Sequence, residues 1–120
     1  MIRLIEGLPD GVVGFEAVGE IRWDDYKTVL DPALDSALAS NHRIRLLYVL
    51  DSEFEGFGEG LILEDTKASV SHWTKFEKIA LVTDHKTYSD GVRALGWMMP
   101  GELRTFSIAD RQDAETWVTE

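Results

Sequence analysis

Ile44-Arg45-Leu46-Leu47-Tyr48-Val49-Leu50 decides the fold. The run is nearly continuous and apolar, with just one charge near its start. A strand with one wet face alternates polar and apolar residues; a run like this one is covered on both faces. Such strands belong to parallel sheets with helices above and below. Lys78–Thr83 (KIALVT) reads the same way, and Leu103–Ile108 (LRTFSI) reads as a final strand.

Helical patterns separate these strands. Upstream, Tyr26, Val29, Leu30, Ala33, Leu34, Ala37 and Leu38 recur at the i, i+3, i+4 spacing of one buried helical face. Asp24 is a candidate N-cap, because its carboxylate can accept from the free N–H groups of a first turn. Pro32 lies inside the pattern and removes a donor, so it kinks the helix or restarts it with Asp31 as cap. Downstream, the expectations are a loop over Asp51–Gly60, a helix over Leu61–Phe76 and a helix over Tyr88–Met98, stopped by Pro100-Gly101. Asp110 then caps a last helix carrying Ala114, Trp117 and Val118. At the start, Met1–Ile5 and Val12–Val18 flank the turn Leu8-Pro9-Asp10-Gly11, which makes a hairpin. The predicted order is β-β-α-β-α-β-α-β-α in one α/β domain over residues 1–120, with a mixed, mostly parallel sheet.

Composition narrows the function. Twelve Lys and Arg stand against 22 Asp and Glu, a formal charge of −10. Nucleic-acid binding needs clustered cations to displace phosphate counterions. The longest basic cluster here, His42-Arg43-Ile44-Arg45, runs straight into a strand. Nucleic acid is therefore not an expected partner, and bulk charge disfavours anionic membranes. No apolar stretch approaches the ~20 residues of a membrane span, and Met1–Gly11 lacks the pattern of a signal peptide. There is no cysteine, which excludes disulfides and thiolate sites and fits a cytoplasmic setting. His42, His72 and His85 share no ligand spacing, so no metal site is expected. Gly56, Gly58 and Gly60 imitate a dinucleotide fingerprint but sit too late in the chain and among acids, so no cofactor is expected.

Four strings, taken in order, resemble the SpoIIAA-like family of STAS-fold proteins. They are Gly19-Glu20-Ile21-Arg22-Trp23-Asp24-Asp25-Tyr26 before the helix with Pro32; Leu46–Leu50 followed by Asp51 and Phe54-Glu55-Gly56-Phe57; His72-Trp73 followed by Phe76–Val82; and Glu102-Leu103-Arg104-Thr105-Phe106 with Ala114–Val118. The resemblance implies a STAS-like domain. It also implies kinship with anti-sigma factor antagonists, which bind a partner kinase and are switched by phosphorylation of a Ser in a strand-Asp-x-Ser setting. No Ser or Thr occupies the corresponding stretch, Phe57–Ile62. Ser52 directly follows Asp51 and is expected at the strand end, several residues too early. The same fold group includes CRAL-TRIO-like lipid carriers.

In a parallel sheet, ligands lie beyond the carboxyl ends of the strands. That edge is expected to gather Trp23, Asp24, Asp51, Ser52, Phe54, Phe57, Gly58, Gly60, Asp84, His85 and Tyr88. Acids crowd it, and Lys86 is the one cation expected nearby, so a basic or apolar partner suits it better than phosphate. Phe54 and Phe57 present an apolar contact, or else tuck under the loop and close the core. Trp97-Met98-Met99 is a second apolar cluster, an oligomer contact or a packed helix end. His85 beside Asp51 or Asp84 is a candidate general base for a hydrolase; a solvated turn is the plainer alternative. Three functions follow in order of preference: a non-catalytic regulatory or protein-interaction module, homo-oligomeric or bound to a protein partner; a carrier of a small apolar, lipid-like ligand at Trp23, Phe54, Phe57 and Tyr88; and an enzyme built on His85.

Overall fold

The computed structural model describes residues 1–57, 75–86, 89–90, 93 and 101–120, with Trp23, Tyr26 and Phe57 described by their backbone. Five strands form one sheet in the order β1-β2-β3-β4-β5. They are β1 (Ile2–Ile5), β2 (Val12–Ile21), β3 (Ile44–Phe57), β4 (Phe76–Val82) and β5 (Glu102–Phe106). The opening hairpin pairs β1 with β2 antiparallel, Ile2 facing Ala17. The remaining pairs are parallel, with Leu47 opposite both Gly14 and Ala80, and Leu81 opposite Thr105. The mixed, mostly parallel α/β sheet predicted from the sequence is thus observed.

Both faces of β3 are covered, as its apolar run requires. Ile44, Tyr48 and Leu50 join Phe15, Ala17, Ile21, Leu30, Leu34, Ile79 and Leu81 in one core cluster. Leu47 and Val49 join Ala80, Val82, Ala114 and Val118 on the other side. Alternation sorts the two sets, because successive strand side chains point to opposite faces.

The helix after β2 has three parts. α1 (Trp23–Asp25) leads into a π-helical turn, Tyr26–Leu30, and then α2 (Asp31–Ser40). Pro32 sits in the first turn of α2, where its missing N–H costs nothing. The restart at Asp31 is therefore observed, but Leu30 occupies the cap position and no side chain caps it. At the head of α1, Asp25 rather than Asp24 acts: its Oδ2 accepts from the Arg22 N–H at 2.8 Å.

Five further expectations are corrected. β2 continues to Ile21 rather than ending at Val18. Asp51–Phe57 is strand, not loop, held by pairing with Gly19, Glu20 and Ile21. Ser52 consequently lies within β3 and not at its end. Phe76 begins β4 instead of ending a helix, and Ile108 belongs to a 3-10 turn (Ile108–Asp110) instead of β5.

That turn opens α3 (Arg111–Thr119). Asp84 holds it, accepting from the Ile108 N–H at 2.9 Å, while the Asp110 carboxylate accepts from Ser107 Oγ at 3.0 Å instead of capping the helix. Cations grip the far end of α3. Arg45 donates to the Val118 carbonyl at 3.1 Å and to that of Glu120, and Lys78 Nζ donates to the Trp117 carbonyl at 3.1 Å. Cations belong at a helix carboxyl end, where unpaired carbonyls point outward. The basic cluster of the sequence is thereby employed: Arg43 likewise donates to the Phe76 carbonyl. The expected helices over Leu61–Phe76 and Tyr88–Met98 lie largely outside the described residues, though 86, 89, 90 and 93 are helical.

Candidate functional site

The carboxyl ends of the parallel strands collect the sequence-predicted residues that are described. After Val49 and Val82, the β3–β4 ladder stops, while β3 continues beside β2. The continuation is irregular. Ala17 faces Leu50 and Ile21 faces Phe57, so four steps along β2 match seven along β3. The surplus residues push β3 outward between Asp51 and Glu55, as β-bulges do. An open groove forms there, lined by Val18, Gly19, Ser52, Glu53, Phe54 and Glu55. Gly19 takes a φ of +70°, a left-handed turn of the backbone that glycine adopts without penalty.

Within this segment, Phe54 is half-buried and packs on the core cluster of α2, while Ser52, Glu53 and Glu55 are exposed. Asp51 organises the bulge. Its Oδ1 accepts from Ser52 Oγ at 3.0 Å and from the Glu53 N–H at 3.3 Å.

Glu16 of β2 is the residue that sequence reasoning missed. It lies on the α3 face of the sheet, where Asp51 also points. Arg3 of β1 reaches its Oε1 at 3.3 Å, and Arg111 from the first turn of α3 reaches its Oε2 at 3.6 Å. A hydrogen bond to Asp51 raises the Glu16 carboxyl above its ordinary value, burial adds to this, and the two guanidinium groups oppose it. The same hydrogen bond, with those from Ser52 and Glu53, draws Asp51 down to about 2. The two carboxyls are coupled, so the same contact that raises Glu16 lowers Asp51. The expectation of Lys86 as the lone nearby cation is corrected: Arg3 and Arg111 stand beside the pair. A signal for Glu16 existed in the sequence, since it is the one charge inside the apolar alternation Val12–Val18.

His85 is exposed, and its backbone N–H donates to Thr83 Oγ1 at 3.0 Å. Asp84 is committed to the α3 turn. Trp23 begins α1 directly beyond β2, and Phe57 ends β3, so both backbones stand on the predicted edge. Gly58, Gly60, Tyr88, Trp97, Met98 and Met99 lie outside the described residues. Among the described residues no group of three or more acidic or histidine side chains is arranged to hold a metal. No described helix is long and apolar enough to cross a membrane.

The SpoIIAA-like family model matches residues 12–119. The chain belongs to the SpoIIAA-like family. A crystal structure from Shewanella loihica PV-4, an uncharacterised protein of the DUF3478 family with a SpoIIAA-like fold, is similar at 28% identity. That similarity covers 98% of this chain and 92% of that one, with a TM-score of 0.75. A search of curated proteins gives no match. The four strings quoted from the sequence all fall within this SpoIIAA-like frame, and the second of them contains the bulge of β3.

Proposed function

We propose that this SpoIIAA-like domain is a regulatory protein-interaction module that acts by binding rather than by turnover. One observation carries the reading: the strand Asp51–Phe57 continues past the β3–β4 ladder and displays Ser52, Glu53 and Glu55 to solvent from a sheet-anchored backbone. The charge of −10 favours a partner of opposite sign, since complementary potentials steer association. The stretch that corresponds to a phosphoswitch carries no hydroxyl, so regulation here rests on occupancy of the surface.

Native mass spectrometry of protein purified gently from its own host tests the proposal. A dimer or a stoichiometric complex with a second protein is expected. A bare monomer, repeated after mild chemical crosslinking in the cells, sinks it. A mass increment of lipid size would replace it with the carrier reading.

A further inference from the structure

Two carboxylates flank the groove of the β2–β3 bulge with no ion-pair partner among the described residues: Glu53 and Glu55, both exposed. Their neighbours are accounted for. Glu20 pairs with Arg22 at 3.6 Å, Asp51 is bound by Ser52 and Glu53, and Glu16 faces Arg3 and Arg111 on the α3 side. Between the two acids, Phe54 turns inward and stays half-buried, leaving part of its ring at the groove. Gly19 and Val18 form the opposite wall, and nothing lies within 4 Å of where a Gly19 Cβ would stand. The groove therefore combines a negative rim, an apolar floor and a wall left open at Gly19.

We infer that this groove takes a basic segment of a partner protein, with Lys or Arg side chains on Glu53 and Glu55 and an apolar residue against Phe54. Charge complementarity commits the occupant: both rim carboxylates, unpaired among the described residues, are anionic, and an acidic or phosphorylated segment would meet repulsion from each. The inference rests on the interaction-module reading and specifies the partner chemistry of the same surface. Exposed charges of this kind govern association rate and salt dependence more than packing does.

The test uses the full chain, 15N-labelled, titrated with a pentapeptide of alternating Lys and Leu and with its Glu/Leu counterpart. Saturable amide shifts are expected at Val18, Gly19 and Ser52–Glu55 with the basic peptide alone, weakening as salt is raised. The double variant E53K/E55K should bind about tenfold more weakly, since it turns both rim charges against a basic peptide. E6K/D10K carries the same net charge, with both changes at exposed sites of the hairpin turn at the amino end of β2, the end opposite the groove, and should bind within about twofold of the parent. The milder E53Q/E55Q should fall between, and melting curves establish that each variant is folded. Shifts elsewhere, equal losses in both Lys variants, or equal binding of the acidic peptide overturn the inference. If a partner protein co-purifies as well with E53K/E55K as with the parent, the groove is refuted and the module reading survives. If the parent yields neither self-association nor a partner, the module reading fails, and the peptide titration alone judges the groove.

Discussion

Glu16 is the residue on which most of the charge chemistry converges. It touches Arg3, Arg111 and Asp51, and so joins β1, β2, β3 and α3. Its raised carboxyl favours the protonated form in the folded state, so its contribution to stability is full below the ordinary Glu range and declines as pH rises through the folded value. Asp51 behaves oppositely: its contribution is full above the ordinary Asp range and is lost as pH falls toward about 2. Carboxyl 13C titration should give Glu16 a midpoint above that of an exposed Glu, and Asp51→Asn should bring it down. Glu16→Gln should flatten the decline in stability just above the ordinary Glu range, and an unchanged profile refutes the coupling of Glu16 to Asp51. Gly101 gives a second residue-scale prediction. A Cβ there would fall on the backbone carbonyl oxygens of Phe76 and Glu77. Gly101→Ala should cost about 1–3 kcal/mol in urea unfolding, because backbone cannot step aside as a side chain would.

β3 is the element that holds the domain together, because both of its faces are core. Leu47 is fully buried between Gly14 and Ala80 in the sheet and packs with Ala114 and Val118 of α3 in one cluster. Leu47→Ala should cost about 2–5 kcal/mol, whereas Leu4→Ala on β1, half exposed at 50%, should cost less than about 0.5. Equal losses in thermal denaturation would refute the two-faced role. This double burial was legible in the unbroken run Ile44–Leu50. The second half of β3 was not. Its glycine and three acids read as loop, because the pattern within a segment does not reveal pairing with Gly19–Ile21, more than thirty residues away. The restart at Asp31 was legible from Pro32, since proline acts locally. Glu16 stood out as a charge in an apolar strand, yet its partner Arg111 comes from α3, 95 positions later, which no local pattern announces. Asp51 was placed on the edge by its position after the apolar run, whereas its contact with Glu16 joins two strands and had no local signature.

At the scale of the molecule, an excess of ten negative charges works against compactness as well as toward partners. Raising ionic strength from about 0.01 to 0.15 M shortens the Debye length from roughly 30 to 8 Å. The melting temperature should then rise by about 2 °C, roughly half a kcal/mol for a domain of this size. A melting temperature that falls with salt would mean that attractive pairs such as Arg111–Glu16 outweigh the general repulsion.

The uneven ladder of β3 divides the domain in time as well as in space. Ile44–Val49 is bonded to a strand on each side, while the stretch from Gly56 to Phe57 is bonded to β2 and, among the described strands, to no other. Amide hydrogens of the first half exchange with solvent when the whole domain opens; those beyond the bulge exchange when a few backbone bonds part. The far end of β3 can therefore release and re-form many times within the lifetime of one folded molecule. A partner arriving there meets a strand that yields, on a core that does not.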